Sequence, residues 1–138
     1  MHEREIYITD FDMRRIQQLL EGVKLWSARD REHLTSLGEE LHRAHVVAAT
    51  DIPADVVTMN SRLSVRDLDS GRVITFTLVF PSDADVEQDK ISVLAPLGTA
   101  VLGYRLGDTF EWKMPGRVRR LNLEQVLYQP EAAGDYHL

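Results

Sequence analysis

Cysteine is absent from this 138-residue chain, which excludes a disulfide framework, a thiolate metal site and a thiol nucleophile. No apolar run approaches the roughly 20 residues that a membrane-spanning helix needs. The opening segment MHEREIYITD is charged and lacks the apolar core of a signal peptide, so a cytoplasmic location and no membrane contact are expected. A basic excess is missing too: the net charge is −6. A surface that tracks nucleic-acid phosphates needs clustered Lys and Arg, so the chain alone is not expected to bind DNA or RNA. Aromatics make up only 7% of the residues, and they are scattered.

Several catalytic patterns are also wanting. There is no Gly-x-Ser-x-Gly elbow, no glycine-rich phosphate loop and no His-Glu-x-x-His pair. The five histidines are His2, His33, His42, His45 and His137. They lack a third converging ligand, and read as solvated helix positions rather than metal ligands. No cofactor and no catalytic residue is therefore expected, and the chain reads as a non-enzyme.

What is present is ordered. Thr9, with Asp10 and Asp12 behind it, has the makings of an N-cap with acids in the first helical turn. Met13, Ile16, Leu20 and Val23 follow at helical spacing. Ser27 or Asp30 can cap a second helix carrying Leu34, Leu37, Leu41, Ala44 and Ala48. Two such stripes predict a short antiparallel coiled-coil hairpin over residues 1–50, about 20–25 Å long at roughly 1.5 Å per residue. Its tip would lie at 22–29, where Lys24, Trp26 and Arg29 stand out. Trp26 there is either a partner anchor or the plug that closes the apolar stripe.

Asp51 to Asp55 reads as a linker, and beyond it the period changes to two. Leu63 and Val65 alternate with polar residues, Asp69-Ser70-Gly71 marks a hairpin, and Ile74, Phe76, Leu78 and Phe80 share a face. Strands at 91–94, 109–114 and 117–128 complete a sheet of about five strands over 51–138. Trp112 alternates with Phe110 and Met114 and is assigned to the core. Arg117, Arg119 and Arg120 read as charges on an edge strand, where they block aggregation, and the tail 130–138 reads as irregular. The fold class is α+β: a helical hairpin, then a small twisted sheet with one short helix.

The most distinctive stretch is 91–116, ISVLAPLGTAVLGYRLGDTFEWKMPG. A strand stops at Pro96, one or two apolar helical turns end at Gly103, and Gly107-Asp108 opens the next strand, which turns at Pro115-Gly116. The run Ala95-Pro96-Leu97-Gly98, then Ala100-Val101-Leu102-Gly103, then Gly107-Asp108, resembles the C-terminal domain of the bacterial Gre transcript-cleavage factors, the GreA/GreB family. Residues 55–62 (DVVTMNSR) and 128–136 (YQPEAAGDY) resemble that family's branch of regulators of nucleoside diphosphate kinase.

The resemblance implies an FKBP-like fold for 51–138. It also implies docking on RNA polymerase near the secondary channel, against the tip of a coiled coil in the largest subunit, with Ala95, Pro96, Leu97 and Gly98 as polymerase-binding residues. In Gre factors the arm is much longer, and acids at its tip help hold a second magnesium ion. Residues 22–29 of this chain contain no acid, while Asp30 and Glu32 suit the first turn of a helix. The expectation is a transcription regulator that competes with Gre-type factors without stimulating cleavage. Two rivals are a cleavage factor using Asp30 and Glu32, and an FKBP-like peptidyl-prolyl isomerase. An effect on nucleoside diphosphate kinase levels is more simply indirect than a contact with that enzyme.

Overall fold

A computed structural model describes residues 6–22, 38–39, 41–114, 116–136 and 138, with backbone alone at 113 and 114. The hairpin tip with Lys24, Trp26 and Arg29 lies outside the described residues, as do Asp30, Glu32, His33, Leu34 and Leu37.

Strand β1 (Tyr7–Thr9) leads directly into helix α1 (Asp10–Gly22). The helix starts where it does because the Thr9 Oγ1 accepts from the Asp12 backbone N–H at 3.0 Å. This is the expected cap, with Asp10 and Asp12 in the first turn. Thirteen residues give a helix of about 20 Å. Its inner stripe is centred on Ile16, which is fully buried, with Met13, Leu19 and Leu20 packed beside it.

The expected second helix does not continue through Ala44 to Ala48. Helical residues end at His42, and His45–Val47 forms strand β2, which pairs in parallel with β1 in the register Tyr7↔His45 to Thr9↔Val47. The pairing is reinforced by a 2.8 Å bond from His45 N–H to the Ile6 carbonyl and by stacking of the Tyr7 and His45 rings, 5.1 Å apart. Backbone pairing with the N-terminal strand overrides the helical periodicity of two alanines, which offer little surface to bury.

The five-stranded sheet comprises β3 (Arg62–Asp67), β4 (Val73–Val79), β5 (Lys90–Ser92), β6 (Thr109–Met114) and β7 (Arg117–Tyr128), in the spatial order β5-β4-β3-β7-β6. All neighbours are antiparallel except β4 and β5. Gly71, with φ of 76°, closes the β3–β4 hairpin at the expected turn. The twelve-residue strand β7 lies between β3 and β6, so Arg117, Arg119 and Arg120 are on an interior strand and not on an edge as the sequence suggests. The acidic loop after β4 folds into two 3₁₀ turns, Pro81–Asp83 and Val86–Gln88.

Helix α2 (Pro96–Val101) crosses one face of the sheet, and its Leu97, Val101 and Leu102 join Leu63, Val65, Phe76, Leu78, Phe110, Leu121 and Leu123 in the core. Ile8, Ile16 and Leu41 belong to the same apolar cluster. The segment read as a linker is also packed: Ile52 is buried, and the Pro53 carbonyl accepts from the Val56 N–H and the Gln129 side chain. The C-terminal stretch is not irregular. Helix α3 (Pro130–Ala133) is capped by the Gln129 side chain and ends at Gly134.

Two glycines are demanded by close approach. A Cβ on Gly98 would lie 2.2 Å from the Ser92 carbonyl oxygen, and one on Gly103 (φ +83°) would lie 2.9 Å from Ile6 Cβ. Gly98→Ala is expected to destabilise the protein by about 1–3 kcal/mol, because the obstacle is backbone. Gly38→Ala meets open space and is expected to be neutral or mildly stabilising. Thermal denaturation of the two variants checks this, and a Gly98→Ala protein as stable as the parent would contradict the packing.

Candidate functional site

The segment singled out in the sequence forms the corner between β5 and α2. The Ser92 carbonyl accepts from the Ala95 N–H at 3.0 Å, and Ser92 Oγ accepts from the Leu94 N–H at 3.0 Å. Ala95 stays extended, and Pro96 takes the first helical position, where its missing N–H costs nothing. Thr99 then locks the turn: its N–H donates to the Ala95 carbonyl and its hydroxyl to the Val93 carbonyl at 2.7 Å.

The four predicted residues are therefore together but not equivalent. Pro96 is exposed and Ala95 half-buried, whereas Leu97 and Gly98 are buried. Leu97 points into the core, so its side chain fixes the corner and the outward surface comes from Ala95 and Pro96. Gly103 ends this element with a double link. Its N–H donates to the Val57 carbonyl, and its carbonyl accepts from the Tyr7 N–H. That joins α2, β1 and the entry to the sheet.

A second cluster, a buried polar junction, is not announced by any local pattern in the sequence. Asp12 is fully buried on α1. One carboxylate oxygen accepts from the Met59 N–H at 3.0 Å, and the other pairs with Arg15. The Arg15 guanidinium also donates to the Leu138 carbonyl at 2.9 Å and is stacked between the rings of Phe11 and Phe80. Next to it, the Thr58 hydroxyl donates to the buried Glu131 at 2.7 Å, and Ser61 Oγ accepts from the Thr58 N–H. Gln129 donates to the Pro53 and Val56 carbonyls. The Tyr128 hydroxyl donates to Asp135, and that bond, with burial and the nearby carboxylates, pushes its pKa up to about 12. Burial raises the Asp12 pKa to about 6 against the lowering pull of the Met59 N–H and Arg15, with Glu131 adding to the rise.

A third cluster surrounds Asp67. Burial opposes its ionisation, but N–H groups of Asp69 and Ser70 and the Arg119 guanidinium, 2.7 Å away, outweigh it and hold its pKa below the usual carboxylate range.

A family model described as transcription elongation factor, GreA/GreB, C-terminal, matches residues 52–128, and one described as Rnk N-terminus matches residues 4–47. The chain belongs to the GreA/GreB family. Within it, the chain is 42% identical to the regulator of nucleoside diphosphate kinase of Escherichia coli K12 over 144 aligned positions, covering 100% of both. It is 32% identical to the transcription elongation factor GreA of Rhodospirillum rubrum, over 71% of this chain and 66% of that protein. A solved GreA/GreB transcription elongation factor from Nitrosomonas europaea superposes with a TM-score of 0.71 at 41% identity, covering 91% of this chain and 100% of the other. The expected GreA/GreB C-terminal fold is thus present, in an α+β chain. The family places the chain among transcription-related regulators, and its relatives are named as regulators and elongation factors rather than as enzymes. Among the described residues no helix is long and apolar enough to cross a membrane.

The buried Asp12 makes stability depend on pH in a defined direction. A carboxyl whose pKa is higher folded than unfolded binds more protons in the folded state, so it stabilises the fold as pH falls through about 6. Lowering pH from 7 to 5 should add about 1 kcal/mol from this group, read as a rise in Tm. Asp67 and Glu124, whose pKa values are lowered, withdraw stability only in more acid solution. In Asp12→Asn the rise between pH 7 and 5 should vanish. An equal rise in both proteins would show that Asp12 is not its source.

Proposed function

We propose that this protein docks on RNA polymerase at the entrance of the secondary channel and occupies the site that Gre-type factors use, without stimulating transcript cleavage. The observation that carries the reading is the GreA/GreB C-terminal match over residues 52–128, joined to an N-terminal segment that belongs to the Rnk branch. In this reading residues 51–138 are the docking unit and residues 1–50 a short helical arm.

The β5–α2 corner would supply the contact with the coiled-coil tip of the largest subunit. Ala95 and Pro96 form its surface, while Leu97 and Gly98 hold its shape from below. A rigid corner loses little conformational freedom on binding, so a few apolar contacts suffice for affinity.

The absence of cleavage rests on chemistry. Fixing an additional divalent cation requires closely spaced carboxylates. Residues 22–29 contain none, and Asp12 in α1 is committed to Met59 and Arg15. The arm's Lys24, Trp26 and Arg29 would line the channel mouth as an obstruction. Effects on nucleoside diphosphate kinase, the enzyme in the relatives' name, would follow from transcription.

Two measurements test the proposal. Pure protein should displace a Gre factor from core polymerase in a competition pull-down, and should not stimulate cleavage of backtracked RNA. Pro96→Asp should weaken the displacement by about tenfold or more with little change in Tm, since Pro96 is exposed. Retained displacement in a folded Pro96→Asp protein would remove the corner from the contact, and cleavage by the parent protein would overturn the occlusion mechanism.

A further inference from the structure

At the end of the sheet opposite the β5–α2 corner, the core face opens into a cleft of about 310 Å³ lined by Asp67, Ser70, Arg72, Ile74, Trp112, Arg117 and Arg119. Strand β4 runs from Ile74 at the cleft to Val79 beside Ser92, so the two features lie about 17 Å apart at roughly 3.3 Å per residue. The register explains the lining. Val65 faces Ile74, Asp67 faces Leu121, and Trp112 faces Arg119, all on the core face. Leu121 is wholly buried; one step further toward the hairpin ends, the same face carries Trp112 and Arg119.

The cleft is chemically one-sided. Ile74 and the Trp112 ring give a flat apolar floor, and three guanidinium groups stand around it. Asp67, the one carboxylate in the lining, is already saturated by Arg119, Asp69 and Ser70. Arg72 and Arg117 are exposed and have no acidic partner among the described residues. The Trp112 Nε1–H is shielded from solvent and has no acceptor among them, although a buried donor normally has one. The charged groups here that lack an acidic partner are therefore both cations. The volume matches the small end of ligand pockets, which pair an apolar lining with a few placed polar groups.

We propose that this cleft binds a small organic anion, a phosphate or carboxylate carried on a flat ring. The ring lies on Trp112 and Ile74, and the anion is held by Arg72 and Arg117. Arg119 is a positioning residue, tied by Asp67. Planar guanidinium groups suit both phosphate and carboxylate oxygens.

The test uses the full chain with Trp26→Phe, which leaves Trp112 as the one indole. Its Nε1–H resonance is followed by NMR during titration with phenyl phosphate, benzoate, inorganic phosphate and phenol. A saturable shift with phenyl phosphate or benzoate is expected, and which of the two binds more tightly identifies the anion. Phenol and inorganic phosphate should each bind at least about tenfold more weakly, since each lacks half of the recognised chemistry. The Arg72→Ala/Arg117→Ala double variant changes two exposed side chains, so it should keep its Tm and lose about tenfold or more in affinity. No saturable shift with either aromatic anion overturns the proposal. So does phenol or inorganic phosphate binding as well as both, or undiminished affinity in the folded double variant.

Discussion

The carboxylate of Asp12 is the point on which the arrangement of this chain turns. It is fully buried, yet it accepts from the Met59 N–H, a group from a segment far along the sequence that would otherwise be an orphaned donor. Its charge is balanced by Arg15, one helical turn on, which also reaches the carbonyl of Leu138. A single side chain thus ties the first helix to the entry of the sheet, and its counter-ion ties both to the C-terminus. Burying such a pair is costly unless every lone pair is engaged, and the raised pKa of Asp12 records the part of that cost left uncompensated. The neighbouring bonds from Thr58 to Glu131, and from Gln129 to the Pro53 and Val56 carbonyls, engage further buried polar groups of the same junction, while the buried Arg15 Nε–H has no acceptor among the described residues.

From this anchored side the sheet extends in a graded way. Near the junction and α2, the core face is sealed by Leu97, Val101 and Leu102, and Gly98 lets the helix backbone come against the Ser92 carbonyl. Toward the β3–β4 and β6–β7 turns, nothing of comparable size among the described residues covers the face. The side chains there change from Leu121 to Arg119 and from Phe110 to Trp112 along strands whose pairing is unbroken. One continuous sheet therefore presents a sealed corner at one end and a guanidinium-lined cleft at the other. The Asp67–Arg119 pair sits where the two regimes meet, held by two N–H groups from the hairpin turn.

The sequence made the sheet legible because its signals are local and redundant. Gly71, Gly107 and Gly116 sit at turns with positive φ, and Leu63, Val65, Phe76 and Leu78 alternate into the core as spaced. The Thr9 cap was legible for the same reason, since donor and acceptor are three residues apart. What was not legible depends on pairings distant in sequence. Strand β2 exists because Tyr7–Thr9 is beside it, and no periodicity in 44–48 announces that. Arg119 reads as a solvated charge until β7 is seen to lie between two strands. Asp12 reads as a first-turn acid favoured by the helix dipole, and its bond to Met59 crosses 47 positions. The motif containing Leu97 locates the corner, but only the packing shows that its side chain faces inward.

The same placement of Asp12 bears on how the N-terminal arm can act. An acid exposed on a helix is free to take part in metal chemistry, and Asp12 is neither exposed nor free. Its oxygens are taken by Met59 and Arg15, and releasing them would leave a buried donor and a buried cation unpaired. Helix α1 therefore spends its buried first-turn carboxylate on architecture. Residues 22–29 contain no acid, and in the proposed reading they would fill space. In that reading, a docking corner and an arm without carboxylates at 22–29 divide the labour, and the burial of Asp12 keeps that acid with the docking unit.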